Sequence, residues 1–241
     1  MAEDLVSCLM VTGHDPCREP FGRVAIESFR QQTWPNKELL ILNQSFHQPH
    51  SYRLLEDGWE KGEGYSIAEY HVLPIQPLGT ARNQLLEHAR GEWLLPWDDD
   101  DWSHPERITR QMHARNGQRA VVPSCYLVYS FPRNTACVQT HKWCCGLMLF
   151  PRGPQRYEPK PSSEDWALME LFPDRIRWEN PPEMYIRTHH GMNTWHEKHI
   201  LGRLAGRENT WLLLPRQQAY LKDVLAHHYP WATIGRFFPL P

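Results

Sequence analysis

A chain of 241 residues is long enough for one large α/β domain with a substantial core and short for two independent ones. Lys and Arg number 26 against 28 Asp and Glu, and the net charge of −2 gives no global positive field to draw the chain onto nucleic acid or an anionic membrane. Six cysteines are present without any C-x-x-C pair, the start Met1-Ala2-Glu3-Asp4 is acidic, and no apolar run approaches membrane-spanning length, so reduced thiols, no structural zinc and a cytoplasmic location, alone or peripheral to a membrane, are expected.

In chain order, the apolar run Leu5 to Val11, ending at Thr12-Gly13, suits a strand buried on both faces of a parallel sheet. Arg23 to Gln32 has helical spacing and is stopped by Trp34-Pro35-Asn36, and Glu38 to Leu42 is a second strand bounded by Asn43-Gln44-Ser45. Phe46 to Tyr70 is polar and weakly periodic, a loop with at most a short helix, and His71 to Leu73 is a candidate third strand. Thr80 to Arg90 reads as a helix with Leu85, Leu86 and Ala89 inward, and Glu92 to Trp97 as a strand running into Asp98-Asp99-Asp100-Asp101.

Ser103 and Glu106, with Pro105 between them, have capping-box spacing for a helix reaching about Asn116. Further on, Ala120 to Tyr129 and Leu147 to Phe150 read as strands, Ser162 to Phe172 as a helix, and Gln217 to Ala226 as helix within a C-terminal tail. Alternating strands and helices imply βαβ units and a mostly parallel sheet, whose ligands gather at the carboxyl ends of the strands, where the acidic run lies.

Adjacent aspartates repel one another, so burying even part of this run requires a compensating cation. Hard oxygen ligands at such density suit Mg²⁺ or Mn²⁺, and an extended turn would point Asp98 and Asp100 one way and Asp99 another. A solvated acidic loop, or a charge bias at the following helix start, is the bland alternative. The spacing excludes an EF-hand loop.

Leu94 to Trp102, followed by His104-Pro105-Glu106-Arg107-Ile108, resembles the D-x-D-D region of family 2 glycosyltransferases with the GT-A fold. Gly79-Thr80-Ala81-Arg82-Asn83, with Ala89-Arg90-Gly91-Glu92, resembles the same family's G-x-A-R-N helix and A-x-G-E turn, and Ala25 to Leu42 resembles the stretch between its first two strands. The resemblance implies a GT-A-like, Rossmann-type α/β fold with a mostly parallel sheet flanked by helices. Residues 1–197 would form the transferase domain, with a nucleotide-sugar half over 1–112 and an acceptor half over 113–197, and 198–241 a helical appendage packed on it.

It also implies a metal-dependent, inverting transfer of a sugar from a nucleotide-diphosphate donor, UDP-linked as the first expectation. Thr12, Asn43, Arg82, Asp98 and Asp99 would bind the donor, and Asp100 would hold Mn²⁺ or Mg²⁺. The family commonly has Asp-Asp where this chain has Asn43-Gln44, which bears on the base, because Asn can donate as well as accept. Glu164-Asp165-Trp166 resembles the family's E-D motif, which makes Asp165 the candidate base; its spacing from Ser162 equally fits a helix cap.

Tyr185 to Trp195 resembles the loop containing H-G-x-N-T, and His190 is the matched metal ligand. Lys198 and His199 could reach the phosphates from that loop, and Trp102, Trp143 and Trp166 could stack on sugar or simply pack. A nucleotidylyltransferase would need a Gly-rich loop after the first strand, where this chain reads Val11-Thr12-Gly13-His14-Asp15. A non-catalytic nucleotide- or glycan-binding module is the second reading. The acceptor is a glycan or another hydroxyl-bearing molecule; the basic residues Arg203, Arg207, Arg216 and Lys222 leave open a hydroxylated base in DNA.

Overall fold

The structure is a computed structural model, and it describes residues 3–13, 15–45, 52–191, 193 and 210–229. Its elements run β1 (Val6–Thr12), α1 (Glu19–Arg30), β2 (Lys37–Asn43), β3 (Trp59–Gly62), β4 (Tyr65–His71), α2 (Leu78–His88), β5 (Trp93–Pro96), β6 (Trp102–Ser103) and α3 (Arg107–Ala114). There follow β7 (Val121–Pro123), β8 (Cys125–Ser130), β9 (Thr135–Thr140), β10 (Phe150–Pro151), α4 (Glu164–Glu170), β11 (Ile176–Trp178), β12 (Tyr185–His189), β13 (Thr210–Trp211) and α5 (Pro215–His228).

The main sheet has six strands in the order β10-β5-β1-β2-β4-β3, with β5, β1, β2 and β4 parallel and both edge strands antiparallel. Because β1 is covered on both faces, its residues alternate between two cores. Cys8 and Met10 join Ile26, Phe29 and Trp97 under α1, while Leu9 joins Leu85, Leu94 and Phe150 under α2. The chain leaves β1 toward β2 and returns to β5 on the other side, which opens a crevice between the carboxyl ends of β1 and β5.

The second sheet, β13-β9-β8-β12-β6, stands beside that crevice. β12 runs parallel to β8 and antiparallel to β6, the two-residue strand that follows the acidic run. On it α5 buries Leu221, Val224 and Leu225 with Leu127, Ile186 and Trp102. Trp102 stacks on His228 with ring centroids 4.1 Å apart and donates its indole N–H to the Tyr220 hydroxyl at 3.2 Å, so this tryptophan packs rather than facing a ligand.

The structure departs from the sequence expectations in several places. Residues 59–71, expected as loop and the start of a strand, form the β3–β4 hairpin. Its outer strand is half exposed and its inner one carries Ser66, Glu69 and His71, so no apolar run marks it. The capping box at Ser103 does not form; α3 begins at Arg107, and the Ser103 hydroxyl accepts from Arg107 Nη1 at 2.9 Å instead.

Ala120 to Tyr129 is split at Ser124 into two strands that serve different sheets, because the Asn180 side chain accepts from the Ser124 N–H at 2.9 Å and ends the first pairing. Leu147 closes a 3₁₀ turn rather than starting a strand, and the segment from Tyr185 read as loop is strand β12 up to His189.

Glu69 is buried within β4 and accepts from Asn43 Nδ2 at 2.7 Å and from the backbone N–H groups of Leu54 and Leu55 at 3.1 and 2.8 Å. It thereby ties the loop after β2 to the sheet. Glu69→Ala would leave three buried donors without an acceptor, so a loss of about 2–4 kcal/mol is expected. The check is the urea midpoint at unchanged slope; a midpoint equal to wild type would mean that the carboxylate does not tie the loop.

Candidate active site

The crevice between β1 and β5 is floored by the turn Asp98-Asp99-Asp100. Thr12, the last residue of β1, donates its hydroxyl to Asp99 Oδ2 at 2.6 Å. Arg18, in the short 3₁₀ turn before α1, closes on the same carboxylate through Nε at 3.2 Å and through Nη2, which also reaches Asp100 Oδ2 at 3.2 Å. Asp99 is therefore nearly inaccessible and held from two sides.

Asp100 Oδ2 also meets His190 Nε2 at 3.1 Å and the Asn193 amide at 3.0 Å, while the Thr188 hydroxyl caps its backbone carbonyl at 2.5 Å. Burial opposes ionisation of Asp100, but the charge of Arg18 and the hydrogen bond from His190 outweigh it and hold this carboxyl well below its usual range. The ring of His190 is backed by Phe21 of α1, stacked at 4.4 Å.

Asp101 turns the other way, into the second sheet, where it accepts the Thr188 N–H at 2.7 Å and the Tyr185 hydroxyl at 2.5 Å. Burial, reinforced by Asp100 and Asp98, pushes its carboxyl well above the usual range. Tyr185 lies 3.2 Å from Asp98 Oδ2 as well, and behind it the guanidinium of Arg107 is layered between the Tyr185 and Trp97 rings at 4.7 and 5.2 Å.

Asp98 accepts from Arg82 Nη2 at 3.0 Å, and the other arm of Arg82 bonds Glu164 Oε1 at 2.5 Å. Arg82 is fixed because Asn83, one residue on, exchanges hydrogen bonds with the backbone of Tyr157, whose ring lies under the guanidinium at 5.4 Å. Burial raises the carboxyl pKa of both Asp98 and Glu164, with Arg82 pulling against it.

A cavity of about 1330 Å³ extends from this turn to α4. Thr12, Arg82, Asp98, Asp99, Asp100 and Asp165 all line it, so it brings together side chains expected at the site from segments more than 150 residues apart. Asp165 accepts the Trp166 N–H at 2.9 Å and the Cys145 thiol at 3.4 Å, and burial together with Asp165 pushes that thiol up to about 12, so it remains a protonated donor. The capping box from Ser162 does not form, since the residue before α4 is Ser163, in the left-handed region and without a side-chain cap bond, while Asp165 sits in the first turn and holds the Trp166 N–H there. Gly146 allows the approach, since a Cβ there would stand 3.0 Å from Asp165 Oδ2. Trp166 is half exposed at the rim, and Trp143 lines the wall and packs on Arg175 at 4.7 Å.

Asn43 does not line the cavity. It is fully buried behind the cavity lining, its amide donating to Tyr52 and Glu69 and accepting from Ser45, so it shapes the wall and Gln44 faces the cavity in its place. Residues not expected from sequence are Arg18, Glu164, Tyr185 and Arg187. Arg187 lines the cavity from β12, and although burial works against its charge, Tyr126 and the carboxylates Asp101 and Asp98 hold the guanidinium protonated. No sequence signal marked it, because the segment reads as loop and only its pairing with β6 and β8 brings it to the acidic turn. Lys198, His199, Arg203 and Arg207 lie outside the described residues, and Arg216 sits 3.5 Å from Glu183 on an exposed face. All six cysteines are unpaired.

Among the described residues no three His, Cys, Asp or Glu side chains gather into a group that could hold a metal by themselves, and no helix is long and apolar enough to cross a membrane.

The fold is shared with solved glycosyltransferase structures. S. aureus TarS 1–349 in complex with UDP-GlcNAc superposes with a TM-score of 0.57 at 14% identity, over 76% of this chain and 58% of that one. The mannosyltransferase PcManGT from Pyrobaculum calidifontis, in complex with GDP-Man and Mn²⁺, gives 0.52 at 12% identity over 96% and 73%. In sequence, Bacillus subtilis (strain 168) EpsH, whose name places it provisionally among glycosyltransferases, is 28% identical over 104 residues, 43% of this chain and 29% of its own. The chain thus spans less than a third of EpsH and under two thirds of TarS 1–349 in its UDP and UDP-GlcNAc complexes. The profile of glycosyl transferase family 2 matches residues 18–176, which include α1, the acidic turn and Asp165, and the chain belongs to that family.

Proposed function

We propose that this chain transfers a sugar, with inversion, from a nucleotide-diphosphate donor to an acceptor hydroxyl, with a divalent metal on the diphosphate. The observation that carries the reading is a single cavity joining the Asp98–Asp100 turn, at the ends of β1 and β5, to the carboxylate of Asp165. Residues 1–112 then serve the donor, 113–197 the acceptor, and 198–241 are the appendage to which α5 belongs.

The residues fit a metal. Asp100 Oδ2 and His190 Nε2 stand 3.1 Å apart and would both be presented to an ion at this end of the cavity, and Mg²⁺ or Mn²⁺ take few carboxylates and complete their shell with phosphate oxygens and water. When bound, the ion would offset the negative charge growing on the leaving nucleotide. The Mn²⁺ and nucleotide sugars in the solved relatives support the same class of donor.

In this reading Asp98, oriented by Arg82 and Tyr185, faces the donor sugar or ribose, and Thr12 and Gln44 line the base end. Gln44 Oε1 accepts the Gln76 N–H at 2.6 Å, which turns its amide NH₂ to donate, as a uracil carbonyl requires; UDP is therefore the first base to test. Asp99 acts through Thr12 and Arg18 rather than by touching the donor. Asp165 takes the proton of the acceptor hydroxyl as its oxygen attacks the anomeric carbon and the carbon–oxygen bond to the nucleotide breaks on the opposite face. Cys145 holds Asp165 in place, and Trp166 offers an exposed ring to a sugar acceptor.

Calorimetry with UDP and GDP, with and without Mn²⁺, tests the donor half. One nucleotide is expected to bind only with metal, and Asp100→Asn to abolish that binding; a wild type that takes neither nucleotide would remove the reading. Asp165→Asn is expected to lower kcat by about 10²–10⁴-fold with nucleotide affinity intact, and equal turnover in the variant would move the base elsewhere. Arg82→Met leaves Glu164 and Asp98 without their shared counter-charge, so about 3–5 kcal/mol of stability should be lost, partly restored in the double variant with Glu164→Gln as read in urea unfolding.

A further inference from the structure

The position beside Asp100 that a metal would use already holds a cation. Arg18 Nη2 reaches both Asp99 and Asp100, on the same Asp100 Oδ2 that meets His190 Nε2 and Asn193. Asp99, the variable position between the two aspartates of the D-x-D pattern, is tied to Arg18 through Nε as well, and to Thr12 at 2.6 Å. The guanidinium is thus secured to Asp99 by two donors and to Asp100 by one. If Asp100 is taken over, Arg18 stays at the site, on the cavity wall.

We propose that Arg18 is a resident counter-cation that competes with the metal for Asp100 and passes to the donor diphosphate when the metal arrives. The proposal rests on the metal reading of this site. A divalent ion entering alone would stand beside a buried guanidinium and be repelled by it. A diphosphate arriving with the ion removes the repulsion by giving Arg18 a new anion, and guanidinium is suited to phosphate. Metal and nucleotide then bind with positive coupling, and by linkage each strengthens the other by the same factor. Asp99 is the tether that keeps Arg18 within reach of both partners, which accounts for a third carboxylate in a site whose metal and sugar roles need only two.

The experiment is Mn²⁺ binding followed by loss of the free-ion paramagnetic resonance signal, with and without UDP, on wild type, Arg18→Gln, Arg18→Lys and Asp100→Asn. No turnover is needed. Wild type is expected to bind Mn²⁺ weakly alone and more tightly with UDP. Arg18→Gln should bind Mn²⁺ alone about tenfold more tightly and lose most of the UDP-dependent gain, whereas Arg18→Lys, which keeps the charge, should resemble wild type. Arg18→Ser reads the same competition should the glutamine variant fail to fold.

Arg18→Gln binding Mn²⁺ no more tightly than wild type, while Asp100→Asn abolishes binding, would overturn the proposal and leave the metal site standing. Asp100→Asn binding Mn²⁺ with UDP as wild type does would instead remove the metal site, and the role of Arg18 with it.

Discussion

Four consecutive carboxyl groups at the end of a buried strand set the terms for the rest of this molecule. Left in a low-dielectric crevice they would repel one another and remain unsolvated, so the surrounding elements must provide opposite charge or protons. Each element does so differently. The turn before α1 gives Arg18 to Asp99 and Asp100, α2 gives Arg82 to Asp98, and β12 gives a backbone N–H and a phenol to Asp101. The turn sorts the carboxylates: Asp98, Asp99 and Asp100 line the cavity, while Asp101 is directed into the second sheet.

That sorting explains why two sheets meet here. Asp101 accepts from Thr188 and Tyr185 of β12, and β12 pairs with β6 immediately after the acidic run, so the turn is clamped at its downstream end by a sheet it does not belong to. Upstream it leaves β5, whose partner β1 presents Thr12 to Asp99. A turn fixed at both ends can keep like charges close, which a solvated loop would not do.

The parallel sheet and the helices flanking it were legible in the sequence because the doubly buried strands Val6–Thr12 and Lys37–Asn43 carry the apolar runs Cys8 to Val11 and Leu39 to Leu42, and α1 has helical spacing. The acidic turn and Asp165 were legible as motifs. What escaped was structure stabilised from a distance. The β3–β4 hairpin carries polar side chains because Glu69 works inward as an acceptor, and Asn43 looks like a site residue in sequence because its partners, Tyr52 and Glu69, are remote along the chain. Arg18 sits in an unremarkable stretch, Asp15-Pro16-Cys17-Arg18, and only folding brings it to carboxylates more than 80 residues away.

Arg82 bonds Asp98 with one arm and Glu164, the neighbour of Asp165, with the other. The separation between the acidic turn and the start of α4 is thus spanned directly by one planar side chain, across the 63 residues that connect them. A change of loop length in the exposed turns of that connecting stretch would then leave the reach between the two ends of the cavity as it is, because the guanidinium still spans it.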